Sequence, residues 1–88
     1  MTFREFCEEI ADGVLSCVPA AKCRLPAGPA EPGFVSLGSA KATISREKAG
    51  WSVAFSGQGT SAPQPLSGKS MDEPTAGKVA GSIAGFLI

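Results

Sequence analysis

Within "FVSLGSAKATIS", residues 34–45, the apolar positions change step. Val35 and Leu37 share one parity, whereas Ala40, Ala42 and Ile44 occupy the other, so a regular pleated strand would turn one group or the other to solvent. An added residue near Gly38 restores the phase. The stretch therefore reads as one strand over 34–45 carrying a β-bulge at Gly38. Downstream, "REKAG" (46–50) is a polar turn in which Gly50 is free to take positive φ. "WSVAFS" (51–56) then alternates Trp51, Val53 and Phe55 against Ser52, Ala54 and Ser56, the pattern of a half-buried strand. Its outer face, with Lys41, Thr43 and Ser45 beside it, is small, flat and polar. Upstream, "AAKCRLP" (about 20–26) reads as a short strand before the Gly/Pro-rich link "AGPAEPG" (27–33).

Helices bracket these strands. Phe3, Phe6, Cys7, Ile10, Ala11 and Val14 recur at three- and four-residue spacing, which predicts a helix over 2–16. Thr2 followed by Glu5 is the pattern of a capping box, with Met1 and Phe6 as a hydrophobic staple. "GQGTSAPQPLSGKS" (57–70) is rich in Gly and Pro and reads as a long loop. After it, Ser70, Asp72 or Glu73 can cap a second helix over about 73–87, whose first turn tolerates Pro74. The expected fold is one α+β domain, residues 1–88, in the order α-β-β-β-α: a two-layer arrangement with a three-stranded antiparallel sheet and two helices packed on one face.

Composition limits what such a domain can do. The chain has 88 residues, of which 13 are Ala and 22 are Ile, Leu, Val, Phe, Trp or Met, so its core is thin. Formal net charge is zero, but the charge is uneven. Up to residue 31, five acids (Glu5, Glu8, Glu9, Asp12, Glu31) meet three bases (Arg4, Lys22, Arg24). Beyond it, five bases (Lys41, Arg46, Lys48, Lys69, Lys78) meet three acids (Glu47, Asp72, Glu73). No basic, apolar leader precedes the first helix, and a cytoplasmic location with reduced thiols is expected.

Candidate chemistry is sparse. There is no His, which removes the commonest general base and any Ser–His or Cys–His pair. Cys7, Cys17 and Cys23 fit no zinc spacing, so no metal or other cofactor is expected. "SGKS" (67–70) ends like a phosphate loop, but that motif requires Gly where Pro63 stands. A nucleophilic Cys17 or Cys23 would need its thiol acidified by Lys22 or Arg24.

Two surfaces stand out instead. Glu5, Glu8, Glu9 and Asp12 fall on the outer arc of the first helix, suited to a protein partner with a basic surface. In "GKVAGSIAGFLI" (77–88), Gly77, Gly81 and Gly85 form a stripe beside the apolar arc of Val79, Ile83, Phe86 and Leu87. That stripe serves either close packing on the protein's own sheet or contact with a partner, including a second copy in a homodimer. Only ten residues from Val79 onward are uncharged, about half of what a membrane span needs.

The α-β-β-β-α order resembles the double-stranded-RNA-binding domain. Gly28-Pro29 before Phe34-Val35 is similar to that family's link between its first two strands, and "GKSMDEPTAGKVAGSIAGFL" (68–87) is similar to its last helix. The resemblance implies RNA contacts through Arg46, Lys48, Lys69 and Lys78. Asp72, Glu73 and Pro74 stand where the family's lysine cluster would be, so nucleic-acid binding is expected to be weak. In size and composition the chain also resembles small inhibitors encoded by phages and mobile elements, such as anti-CRISPR proteins. The expected function is a non-enzymatic protein-binding module, with a weak double-stranded-RNA-binding domain as the alternative.

Overall fold

A computed structural model describes residues 2–28, 31–57 and 64–87. Helix α1 spans Phe3–Cys17. Its capping box is complete: the Glu5 N–H donates to Thr2 Oγ1 at 3.1 Å, and the Thr2 N–H donates to Glu5 Oε1 at 2.9 Å. Among the described residues five strands follow, β1 (Lys22–Arg24), β2 (Gly33–Leu37), β3 (Ala40–Glu47), β4 (Gly50–Ser56) and β5 (Leu66–Gly68), and helix α2 (Glu73–Leu87) follows them.

The step in "FVSLGSAKATIS" is a chain reversal and not a bulge. Gly38 and Ser39 form a two-residue turn, and Leu37 pairs with Ala40 across it. Gly38 has φ +62°, the conformation that a two-residue hairpin asks of its first turn residue. Reversal places Val35 and Leu37 on the same face as Ala40, Ala42 and Ile44, which is how all five reach the core side.

The sheet is wholly antiparallel, with strands in chain order β1-β2-β3-β4-β5. Five strands replace the three expected. The α-β-β-β-α order, and with it the likeness to the double-stranded-RNA-binding domain, does not hold. Leu66–Gly68, read as part of a loop, completes the sheet by pairing Leu66 with Val53, Ser67 with Ser52 and Gly68 with Trp51. Two close approaches hold that edge. A Cβ at Gly50 would overlap Gly68 O, and one at Gly68 would lie 2.7 Å from Trp51 Cζ2.

Both helices cover one face of the sheet. Between the layers lie Phe6, Ile10 and Val14 of α1, Val35, Ile44 and Val53 of the sheet, and Val79 and Ile83 of α2. Each large side chain so buried contributes roughly 1.5–3 kcal/mol relative to exposure. Phe6 stacks obliquely on Trp51 with centroids 5.5 Å apart, and the Trp51 Nε1–H donates to Ser70 O at 2.7 Å, which gives the buried indole its polar partner. The helices also pack on each other. Gly13 makes this possible, because a Cβ there would stand 2.7 Å from Ala80 Cβ.

Candidate functional site

The outer arc of α1 presents the four predicted carboxylates unequally. Glu5 closes the capping box, and hydrogen bonding with Thr2, first from its backbone N–H, holds its carboxyl below the ordinary value. Glu8 pairs with Arg4, Oε1 to Nε 3.4 Å. Glu9 and Asp12 are exposed. Leu15 belongs to the same arc, since it stands seven residues from Glu8 and three from Asp12. At 36% exposure it is the only large hydrophobic side chain exposed among the described residues. The feature that sequence reasoning missed is thus an exposed apolar side chain at the C-terminal edge of the acidic arc. Its signal was Leu15 falling outside the arc of Phe3, Phe6, Ile10 and Val14.

On α2, Gly77, Gly81 and Gly85 are exposed, and a Cβ at any of them would meet nothing within 4 Å. The reading in which this stripe lets α2 lie close on the sheet is overturned. The packed side is Ala76, Val79, Ala80, Ile83, Ala84 and Leu87, and the glycine that permits close approach is Gly13 on the other helix. Because α1 and α2 lie side by side on one face of the sheet, the acidic arc and the glycine stripe both belong to the solvent side of the helical layer. Asp72 precedes α2 and accepts from the Thr75 N–H at 2.9 Å, and this bonding with Thr75 holds its carboxyl below the ordinary value.

The four cations implied by the RNA resemblance do not form one surface. Lys69 and Lys78 border an open groove of about 380 Å³ between β5 and α2, floored by Trp51, Leu66 and Val79. Arg46 borders a separate recess with Thr2, Phe3, Arg4 and Pro26, and Lys48 lies in the β3–β4 turn. They flank different elements.

Burial makes Cys7 and Cys23 poor nucleophiles. Burial pushes Cys7 up to about 12. Cys23 is raised by burial and by the negative charge of Asp12, and strand alternation sets it on the opposite face of β1 from Lys22 and Arg24, the two cations expected to acidify it. Cys17 is exposed at the end of α1. Among the described residues no group of His, Cys, Asp and Glu could hold a metal ion, and no helix is long and apolar enough to cross a membrane.

No protein-family model, curated protein or solved structure matches the chain.

Proposed function

We propose that the chain is a non-enzymatic protein-binding module that engages a partner's basic surface through the outer face of its helical layer. The observation that carries this reading is Leu15, an exposed apolar side chain at the edge of the acidic arc, about one turn beyond Asp12 and two beyond Glu8. Interfaces combine an apolar anchor with a polar rim, and complementary charge raises encounter rate and specificity. The bare stripe of Gly77, Gly81 and Gly85 on α2 adds a low floor onto which a partner's backbone can approach. Small inhibitors that occupy a basic groove are one role for such a surface, because carboxylates spaced along a helix compete for the cations lining the groove.

Panning a random peptide display library on the folded protein tests this. Wild type should enrich peptides carrying Lys or Arg beside an apolar residue, and their retention should weaken as salt rises. The Glu9→Lys/Asp12→Lys variant should lose them, and Leu15→Ser should weaken them, with unchanged circular dichroism in both. Equal retention by the charge-reversed variant would reject the reading. A dimer in sedimentation equilibrium that Gly81→Leu makes monomeric would reassign the stripe to self-association.

A further inference from the structure

The face of the sheet turned away from the helices has its own charge. Register places Lys22, Ser36, Lys41 and Ser56 in one cross-strand row, and Arg24, Phe34, Thr43 and Ala54 in the next. A third row holds Ser45, Ser52 and Ser67. Three cations therefore gather around Phe34. By strand geometry Lys22 and Arg24 stand about 7 Å apart, and Lys22 and Lys41 about 10 Å apart across Ser36. The one carboxylate on the strands of this face is Glu47, at the far end of β3, where its Oε1 accepts from Ser52 Oγ at 2.7 Å. Elsewhere the face carries hydroxyls and one alanine, low enough to admit an extended chain.

Phe34 supplies what a plain basic patch lacks. Its ring is half-buried, and Lys41 Nζ lies 4.2 Å from the ring centroid. A planar base taking that ring face releases the Lys41 ammonium to a neighbouring phosphate, while Lys22 and Arg24 hold the next phosphates. We propose that this open sheet face binds single-stranded nucleic acid, with Lys22, Arg24 and Lys41 on the phosphates and Phe34 under a base. An aromatic surface with flanking cations suits a single strand, whose bases are free to stack, better than a duplex or an acidic peptide, neither of which offers an exposed π-face. The helical layer's carboxylates lie on the far side of the sheet. At moderate salt, where the screening length is about 10 Å, they do little to cancel the local field. This surface is separate from the one proposed above, and the two readings stand or fall independently.

Fluorescence anisotropy of a labelled oligothymidylate, titrated with the full chain over a series of salt concentrations, is the test. Binding should saturate at low salt. A plot of log K against log salt should slope at about −2, as expected for three phosphate contacts on a single strand. Lys22→Glu/Lys41→Glu should abolish binding, and Phe34→Leu, which keeps an apolar side chain on β2, should weaken it at least fivefold while leaving the salt slope unchanged. Trp51 emission and circular dichroism establish that each variant is folded. Absence of saturation at low salt, or unaltered binding by either variant, would overturn the proposal. Equal affinity for polyglutamate would assign the face to an acidic protein segment instead. Self-association at low salt that Glu9→Lys/Asp12→Lys removes would assign it to the acidic helix of a second copy.

Discussion

Gly13 is where one missing methyl group sets the distance between two helices. Alanine there would gain helix propensity, at most about 1 kcal/mol, but its Cβ would stand 2.7 Å from Ala80 Cβ, which is fixed to its own backbone and cannot swing aside. Overpacking of this kind costs about 1–3 kcal/mol. Gly13→Ala should therefore lower the urea midpoint without changing the m-value, and Gly13→Val should lower it further. Ala80→Gly should cost less in the Gly13→Ala background than in wild type, because it reopens the space. Strict additivity in that double-mutant cycle would show that the two positions do not meet.

At the scale of the element, the outward glycines of α2 behave in the opposite way. Each stands in an exposed helix interior with open space where a side chain would go, so propensity alone decides the outcome. Gly81→Ala should raise stability by about 0.5–1 kcal/mol, a gain of a few degrees in the thermal midpoint for a domain of this size. A fall in the midpoint would reveal an intramolecular role for the stripe. The α+β class and both helices were legible in the sequence, since helical periodicity and the Thr2–Glu5 cap are local signals, whereas the choice of Asp72 among Ser70, Asp72 and Glu73 as the second cap came from the structure. Strand number was not. A parity change fits either a bulge or a hairpin, and Gly38-Ser39 at its centre favours the hairpin only once the two flanking runs are allowed to share a face. β5 offered no periodicity at all, because three residues in a Gly/Pro-rich stretch become a strand through Val53, Ser52 and Trp51 of their neighbour. Of the candidate surfaces, the acidic arc follows from helix spacing. The basic sheet face required the register that brings Lys22, Arg24 and Lys41 from three separate stretches of sequence together.

For the whole molecule, neutrality conceals an uneven distribution of charge, with Glu8, Glu9 and Asp12 outside the helical layer and Lys22, Arg24 and Lys41 on the opposite sheet face. Stability also depends on a few groups whose protonation folding alters. Glu5 and Asp72 have folded-state values below their ordinary 4.5 and 3.8. Their contribution is complete above those ordinary values and is lost as pH falls through the lower folded ones. Cys7 is raised from 9.0 to about 12 and Cys23 is raised from 9.0 as well, so their contributions are complete below 9.0 and are lost as pH climbs above it. Urea midpoints should form a plateau between about pH 5 and 9 and decline on either side. Glu5→Gln/Asp72→Asn should flatten the acid limb and Cys7→Ala the alkaline one. Limbs of unchanged steepness in those variants would assign the pH dependence to other groups.

The pairing of α1 with α2 also orders events during synthesis. Each strand meets its neighbour as soon as that neighbour emerges from the ribosome, because the sheet follows chain order. The first helix has no such privilege. Phe3, Phe6, Ile10 and Val14 cannot complete their packing until residues 73–87 have been made. Until then the flank of the first helix that α2 covers, around Gly13, stays open. The acidic residues along its other side keep that waiting helix solvated, and so serve the protein before its fold is complete.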